Sequence, residues 1–476
     1  MKKILLINPS EYYETYSSLA LVYLGTYLME QVDCDVEIES IWNKNLSNID
    51  SYDIIGITSY TPEIPYAKNF AEKVKEVCDV PIIVGGAHAN GNPISCLNES
   101  PSFDIVNEGY GREIATIAEE KEKLHNIPNI TYQKNGEIKH NKTRKTKPIV
   151  QDTIPDRKID TYKNKDRIYL LSSTGCSNSC DYCACVKDGY HLRKKESLIK
   201  EINGLNPKSL VFCDDSHITK SSIKMLDCIY ETCDVREIRK ECLLDPFFLS
   251  TNYSEVSDFI QRNNYKDLFI GVESSTYSGL GKIGRRYHET IRDKNCHEKE
   301  TDGIKKFIKE FEGSLTLSYI TPHPLIEKRE LISDFTEMFE FLKMFRTDDN
   351  RFHFINWDVL IPFPGTNTRQ RYYDYIRPDE RSDWESYKPS YPFLWQYESD
   401  YVNLWMHKFT RCYRNAETFM QDLSEDEKMR FVGNQNYTIL LSLSILLNKE
   451  FSELAKKIPG FDHRYCKKME QALNRC

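Results

Sequence analysis

The stretch RIYLLSSTGCSNSCDYCAC, residues 167–185, decides how the rest of the chain is interpreted. It begins as a short apolar strand and runs into a loop that carries four cysteines: Cys176, Cys180, Cys183 and Cys185. Gly175 permits the tight curve that such a loop needs, because glycine tolerates backbone angles that other residues avoid. Thiolates separated by three and then two residues can wrap one corner of a soft metal centre. The stretch therefore predicts a metal site at the end of a strand.

The choice of metal depends on how many of these cysteines bind. A [4Fe-4S] cluster usually takes four cysteines, so binding by Cys176, Cys180 and Cys183 alone leaves one iron open for a substrate or cosubstrate. Cys185 could instead close a four-thiolate zinc site. Structural zinc sites usually draw their ligands from two separated pairs, so the spacing favours the cluster over zinc.

The segments that follow alternate between strand-like and helix-like patterns. Five amphipathic segments predict helices between six apolar segments, which predict parallel strands. Those strands are Arg167–Ser172, Ser209–Cys213, Glu237–Leu244, Asp267–Val272, Ser314–Tyr319 and Phe354–Ile361. The pattern predicts a partial or complete TIM-like (β/α)6 barrel, whose site lies at the carboxyl ends of its strands.

The first 140 residues show a similar alternation. They predict a doubly wound, Rossmann-like parallel sheet with helices on both faces, so the whole chain is expected to be an α/β protein. Ligands of such sheets lie beyond the carboxyl ends of the strands. The polar or glycine-rich ends expected to converge there are Asn8–Ser10, Ser59–Thr61, Gly85–His88 and Glu108–Gly111.

The remaining segments complete a four-part organisation: residues 1–140, a linker at 141–166, a barrel at 167–375 and a small α-helical domain at 376–476. A basic stretch, His140 to Lys147, lies at the start of the linker. It could be an anion-binding patch, but a solvated linker is favoured because the chain is acidic overall. The aromatic stretch from Tyr401 to Phe409 is interpreted as helix core rather than a substrate cage.

Composition excludes several classes of protein. With 476 residues the chain is too long for one core, and its net charge of -8 argues against nucleic acid as a partner. No apolar run approaches the length of a membrane span, and the start MKKILLINPS is too short in apolar residues for a signal peptide. We therefore expect a cytoplasmic protein that makes no membrane contact and whose 15 cysteines are mostly reduced.

The cysteine spacing at the end of the first strand of a βα array resembles the cluster loop of the radical S-adenosylmethionine (radical SAM) enzymes. The N-terminal region resembles the cobalamin-binding domain that precedes this loop in one large subclass. Matching pieces are Asn8-Pro9, Leu19–Leu28, Asp53–Ser59, Ile83–His88, Asp104–Gly109, Phe212–Asp215, Gly271–Ser274 and Pro362–Thr366. Together they cover about residues 1–375.

The resemblance implies three cofactors: a [4Fe-4S] cluster on Cys176, Cys180 and Cys183, SAM and cobalamin. SAM would chelate the open iron, and a reduced cluster would cleave it to a 5'-deoxyadenosyl radical. An electron donor such as flavodoxin or ferredoxin is also implied. The residues implied at the SAM site are Tyr182, Asp214, Asp215, Glu273 and Ser274. Those implied at the cobalamin edge are Ser59, Tyr60, Thr61, Gly85, Gly86, His88, Glu108 and Gly109.

Several of these residues could have a structural role instead of a role in cofactor binding. Tyr182 could be a packing aromatic, the Asp214-Asp215 pair a helix N-cap, and Glu273 a surface charge. His88 is at least as well explained as a histidine fixed by local hydrogen bonds. The chain also lacks the Asp-x-His-x-x-Gly motif that supplies an axial histidine in many cobalamin domains, and Ser318–Pro324 replaces the usual glycine-rich end of the fifth barrel strand.

The function expected from the resemblance is methylation of an unactivated carbon in a peptide, protein or small molecule. A second interpretation keeps the radical step without methylation, as in an oxidative cyclisation or ring rearrangement. A third, of another class, is a non-catalytic module that binds zinc, or cobalamin and an iron–sulfur cluster.

Overall fold

The structure is a computed structural model that describes residues 1–10, 18–159, 166–185, 189–285, 294–345, 353–377, 395–421, 437–458 and 470, with the backbone alone at 121–122 and 416–421. Two separate parallel sheets dominate it. The predicted α/β class is therefore confirmed.

The N-terminal sheet has seven strands in the order β2-β1-β3-β4-β5-β6-β7. They are β1 (Lys2–Asn8), β2 (Cys34–Ser40), β3 (Ile54–Thr58), β4 (Ile82–Gly85), β5 (Ile105–Asn107), β6 (Ile130–Lys134) and β7 (Glu137–His140). The first five are parallel. The helices are α1 (Leu19–Gln31), α2 (Ile64–Val77), α3 (Ala87–Gly91), α4 (Pro93–Glu99) and α5 (Glu113–Glu119). Ile4 to Ile7 are all fully buried, because helices cover this sheet on both faces.

One edge of this sheet differs from the prediction. The strands β6 and β7 form an antiparallel hairpin, and β6 also pairs antiparallel with β5. The sequence predicted only a parallel sheet here. Gln133, Lys134 and Glu137 are exposed on this hairpin. An edge strand with one solvated face carries a weak apolar signal, which explains why the sequence pattern did not reveal it.

The second sheet confirms all six predicted barrel strands. Its strands are β8 (Arg167–Leu170), β11 (Ser209–Phe212), β12 (Arg239–Leu244), β13 (Tyr265–Glu273), β14 (Ser314–Ile320) and β15 (Phe354–Asp358). Two short strands, β9 (Ser173–Thr174) and β10 (His191–Leu192), form a separate antiparallel pair. The order β15-β14-β13-β12-β11-β8 is parallel throughout. In the ranges given above β15 does not pair with β8, so the barrel is partial.

Helices α6 (Lys195–Asn203), α7 (Ile223–Thr232), α8 (Pro246–Thr251), α9 (Tyr253–Arg262), α10 (Tyr277–Ile283), α11 (Lys294–Glu310), α12 (Lys328–Met344) and α13 (Asn367–Arg371) accompany the barrel. The C-terminal part adds α14 (Asp400–Gln421), α15 (Tyr437–Leu447) and α16 (Phe451–Ala455). Trp405 on α14 is buried and packs against Phe335 and Trp357 of the barrel, with ring centroids 5.5 and 6.4 Å away. The interpretation of this aromatic stretch as helix core is confirmed.

The connector between the sheets is exposed in only one part. Residues 142–145 and 147 are exposed, as a solvated linker requires, but 148–151 are buried. Ile149 and Val150 share a small apolar cluster with Tyr23 of α1 and Tyr169 of β8. The connector thus packs against both halves of the chain.

Candidate functional site

The cysteine loop follows β9 at the carboxyl end of the first barrel strand. Cys176, Cys180 and Cys183 are partly exposed cysteines. Gly175 takes a φ of 71°, a left-handed conformation that favours glycine, and its amide donates to Asp215 Oδ2 at 3.1 Å. The end of β11 therefore fixes the start of the loop.

The sulfur atoms lie among hydrogen-bond donors. The Asn178 amide donates to Cys176 Sγ at 3.3 Å, and the Cys185 amide donates to Cys183 Sγ at 3.5 Å. Ser216 Oγ is 3.1 Å from Cys176 Sγ. Burial raises the pKa of the Cys176 thiol above its ordinary value, and the hydrogen bonds from Ser216 and the Asn178 amide oppose that rise by favouring the thiolate, the form that binds metal.

The loop fits an iron–sulfur cluster by its donor chemistry rather than by a preformed cage. Three cysteines within eight residues supply the soft ligands that iron–sulfur clusters require. In the part of the chain that the structure describes, no three His, Cys, Asp or Glu side chains converge tightly enough to enclose a metal ion. Cys185 has a separate partner, since its thiol donates to Asp215 Oδ1 at 2.7 Å.

Asp181, inside the cysteine motif, anchors the loop and was not singled out from the sequence. Its amide donates to the Gly284 carbonyl at 2.8 Å, and its carboxylate accepts from Asn367 Nδ2 at 3.0 Å. The Thr368 amide donates to its carbonyl at 3.1 Å. The sequence carries no clear signal for this role, because only the structure shows that Asp181 is nearly fully buried.

The two adjacent aspartates have different surroundings. Asp214 is 4% exposed, and its carboxylate accepts from Ser172 Oγ at 3.0 Å, from Ser173 Oγ at 2.6 Å and from the Ser173 amide. His217 Nδ1 lies 3.2 Å from its other oxygen. Asp214 therefore ties the ends of β8 and β11 together, while Asp215 faces the cysteine loop.

Tyr182 and Glu273 are brought together across the barrel mouth. The Tyr182 hydroxyl donates to Glu273 Oε1 at 3.2 Å, and Arg285 Nη1 lies 3.6 Å from the same oxygen. Glu273 has a φ of 71°, which is uncommon for a residue with a side chain. Its neighbour Ser274 is only 1% exposed and donates to Asp334 Oδ1 at 3.0 Å, so its side chain points into the protein.

The predicted strand ends of the N-terminal sheet also converge. The Ser59 amide donates to the Gly85 carbonyl at 3.0 Å. Gly86 has a φ of 96°, and a Cβ there would lie 2.5 Å from the Ser59 carbonyl oxygen. Gly109 donates from its amide to Asn90 Oδ1 at 2.8 Å. Tyr60 is 63% exposed at the same edge.

His88 is held by a local contact. It is 3% exposed, and its Nδ1 lies 3.2 Å from Thr61 Oγ1. Burial, together with the Arg369 charge, lowers the pKa of His88 to about 4, so the ring is neutral near pH 7. Glu108 is partly buried, with its Oε1 accepting from Thr131 at 3.4 Å and lying 3.5 Å from His140 Nδ1.

Two cavities lie at this edge and share Gly109. The first, of about 220 Å³, is lined mainly by apolar residues of the N-terminal sheet, α1 and the connector, including Leu6, Leu24, Ile83 and Ile149. The second is a cleft of about 350 Å³. It is lined on one side by Ala87, Asn90, Gly91, Glu108 and Gly109, and on the other by Cys183, Ala184 and Cys185. The N-terminal sheet and the cysteine loop therefore face one shared cleft.

Residues 9–118 match the B12 binding domain family. Over 271 residues the chain is 24% identical to an uncharacterised protein of Methanocaldococcus jannaschii, covering 49% of this chain and 50% of that protein. Over 194 residues it is 27% identical to the ribosomal protein uS12 methylthiotransferase RimO of Clostridium botulinum, covering 38% and 40%. The chain thus spans half or less of the length of these curated relatives.

Two solved structures of TsrM, a radical S-adenosylmethionine methyltransferase from Kitasatospora setae, share the fold. One has tryptophan and a SAM analogue bound, with a TM-score of 0.62 over 77% of this chain and 75% of TsrM. The other has cobalamin and a [4Fe-4S] cluster bound, with a TM-score of 0.59 over 77% and 74%. Both are 14% identical to this chain.

The chain therefore contains a region that matches the B12-binding domain, followed by a partial barrel, and it shares its fold with TsrM. The resemblance to the cobalamin-dependent radical SAM proteins is confirmed at the level of domain and fold. Of the helices that the structure describes, none is both long and apolar enough to cross a membrane.

Proposed function

We propose that this protein is a cobalamin-dependent radical SAM enzyme that methylates an unactivated carbon. The observation that carries the proposal is the cleft of about 350 Å³ shared by the B12-binding domain and the cysteine loop. A ligand held at the edge of one sheet lies next to a ligand held at the edge of the other. Radical formation and methyl transfer both need such proximity, because reacting groups must be held within a few ångströms.

In this proposal Cys176, Cys180 and Cys183 hold the [4Fe-4S] cluster, which supplies one-electron chemistry to SAM when bound. Asp215 stabilises the loop through the Gly175 amide and lies at the carboxyl end of β11, where the methionine amino group is expected. Tyr182 and Glu273, joined by their hydrogen bond, border the same mouth on the side expected for adenine and ribose. Asp214 and Ser274 act as positioning residues, since both are buried and bonded within the protein.

The corrinoid is proposed to bind along the carboxyl edge of the N-terminal sheet, at Ser59, Tyr60, Gly85, Gly86 and Gly109. The small residues allow a flat ring to approach the backbone closely. The adjacent apolar cavity offers room for part of the ligand away from water. Thr61 and His88 support this edge from behind, and Glu108 lines the shared cleft.

The first experiment tests the cluster. Protein reconstituted anaerobically with iron and sulfide should show the broad brown absorption of an iron–sulfur cluster, whereas zinc would give none. Cys180→Ser should lose the iron, and the matched variant Cys185→Ser should keep it, because Cys185 already bonds to Asp215. Equal iron loss in both variants would mean that four thiolates close the site, which contradicts an open iron.

The second experiment tests the reaction. Protein produced anaerobically with cobalamin should contain a corrinoid, and the reduced protein should convert SAM to 5'-deoxyadenosine. A product heavier by one methyl group supports methylation, while a product without this gain supports the non-methylating radical reaction. Absence of corrinoid binding under cobalamin-replete conditions contradicts the proposal as a whole, and absence of SAM cleavage leaves a binding module.

The expected substrate is a peptide, a protein or a small molecule, and the expected electron donor is a flavodoxin or ferredoxin. The acidic net charge of -8 supports a substrate other than nucleic acid. Tight RNA binding that weakens steeply with salt would contradict this part of the proposal.

A further inference from the structure

The connector carries a dense group of positive charges in an acidic protein. Of the six residues 142–147, four are cations: Lys142, Arg144, Lys145 and Lys147. Lys147 Nζ is 2.5 Å from Asp152 Oδ1. The side chains of Lys142, Arg144 and Lys145 form no hydrogen bond or ion pair within the described ranges. Three cations therefore remain available to a ligand. We call residues 142–147 the basic strap.

The backbone of the basic strap is fixed at several points. The Arg144 amide donates to Asn129 Oδ1 at 2.6 Å. Arg112 Nε donates to the Lys147 carbonyl at 2.5 Å. Just before the strap, Asn141 Nδ2 donates to the carbonyls of Leu124 and Ile127 at 2.6 and 2.7 Å. These bonds hold the strap in place, so its cationic side chains stay beside one region of the surface.

That region is the junction between the two cavities. Residues Thr143 to Thr146 line the shared cleft together with Cys183 and Cys185, and Pro148 lines the apolar cavity. Lys142 is outside both linings. Glu108 is the acidic side chain in the cleft lining, and it faces His140 and Thr131. A ligand that fills both cavities passes beside Arg144 and Lys145.

A cobalamin has an anionic group between its corrin ring and its nucleotide base. Its ring side chains are uncharged amides, and a phosphodiester joins one of them to the nucleotide that carries the apolar base. Filling the cleft with the ring and the apolar cavity with the base brings this phosphodiester to the junction. Arginine matches phosphate geometry with paired N–H donors, and lysine adds a point charge.

We propose that Arg144 and Lys145 form a phosphate subsite that binds the phosphodiester of the corrinoid. This inference rests on the proposed function, because it takes the ligand at the junction to be a corrinoid. The same chemistry would also accept a phosphate from another source, such as a phosphorylated substrate.

The test compares two corrinoids in anaerobic binding titrations followed by absorbance. Cobalamin carries the phosphodiester, and cobinamide lacks both the phosphate and the nucleotide. The double variant Arg144→Gln/Lys145→Gln should bind cobalamin about tenfold more weakly and cobinamide as wild type does. Lys142→Gln is the matched control, since it removes a cation from the same strap outside the cleft lining, and it should bind both corrinoids normally.

A third probe, inorganic phosphate, identifies the source of the anion. If cobalamin affinity is unchanged but phosphate stabilises wild type against heat and not the double variant, the subsite exists and serves another phosphate. Equal weakening of both corrinoids, or unchanged binding of cobalamin and phosphate alike, overturns the inference. Failure of wild type to bind either corrinoid contradicts the proposed function instead, while the phosphate probe still reports on the subsite.

Discussion

The contact between Gly91 and the loop after β15 leads to a quantitative prediction for Gly91→Ala. Gly91 ends α3 of the B12-binding domain, and Pro364 belongs to the barrel. A Cβ on Gly91 would lie 2.3 Å from the Pro364 carbonyl oxygen, and one on Gly365 would lie 2.7 Å from Gly91 Cα. The obstacle is backbone rather than a flexible side chain, so the two segments would have to separate by about 1 Å to reach an ordinary contact.

We expect Gly91→Ala to lower the apparent free energy of unfolding by about 1–3 kcal/mol, the usual cost of an overpacked contact. The same separation should weaken corrinoid binding, because Gly91 lines the shared cleft. Urea unfolding followed by tryptophan fluorescence measures the first effect, and corrinoid titration measures the second.

Gly281→Ala is the matched control. Gly281 lies within α10, and a Cβ there would meet no atom within 4 Å. Alanine is a better helix former than glycine by up to about 1 kcal/mol, so this variant should be as stable as wild type or slightly more stable. If Gly91→Ala keeps both the stability and the corrinoid affinity of wild type, the close approach does not set the geometry of the cleft.

Two further predictions concern buried titratable side chains. Lys240 is fully buried and donates to four carbonyl oxygens at 2.6–3.1 Å. Lys240→Met should therefore lower the free energy of unfolding in urea by roughly 3 kcal/mol, while Lys208→Met, at an exposed lysine, should change it by less than about 0.5 kcal/mol. Equal effects of the two variants would refute this explanation. The folded state holds His88 neutral with a pKa of about 4, below its ordinary 6.5, so the unfolded chain takes up a proton first as pH falls from 6.5 to 4 and stability decreases over that window. His88→Gln should remove this part of the pH dependence, and a decrease in stability that persists in this variant between pH 6.5 and 4 would refute the explanation.

The strands could be predicted because burial on one or both faces leaves a clear pattern. Ile4 to Ile7 are a continuous apolar run in a sheet covered on both faces, and Leu315, Leu317 and Tyr319 alternate with half-exposed residues on β14. The short helix α8 was missed although its signal is present. Asp245 caps it by accepting from the Phe248 amide at 3.0 Å, directly before a proline at the first helical position.

The site was predictable in its residue types but not in their individual roles. The sequence placed Asp214 and Asp215 together at the end of one strand, yet only the structure separates them. Asp214 contacts Ser172 and Ser173, which lie 42 and 41 residues earlier just after β8, and that contact is a tertiary feature. The basic strap was interpreted as solvent-exposed, and residues 142–145 and 147 are exposed. Charge alone did not reveal that residues 143–146 also line the shared cleft.

The shared cleft has a consequence for how the two halves of the protein cooperate. The first five strands of the N-terminal sheet and all six strands of the barrel are parallel, so each of these arrays presents its carboxyl edge as the place for ligands. The connector packs Ile149 and Val150 between α1 and β8, and Gly91 approaches Pro364 at the shared cleft itself. Two separate contacts therefore join the two halves of the protein, and the second one sets the spacing at the place where the proposed cofactors would meet.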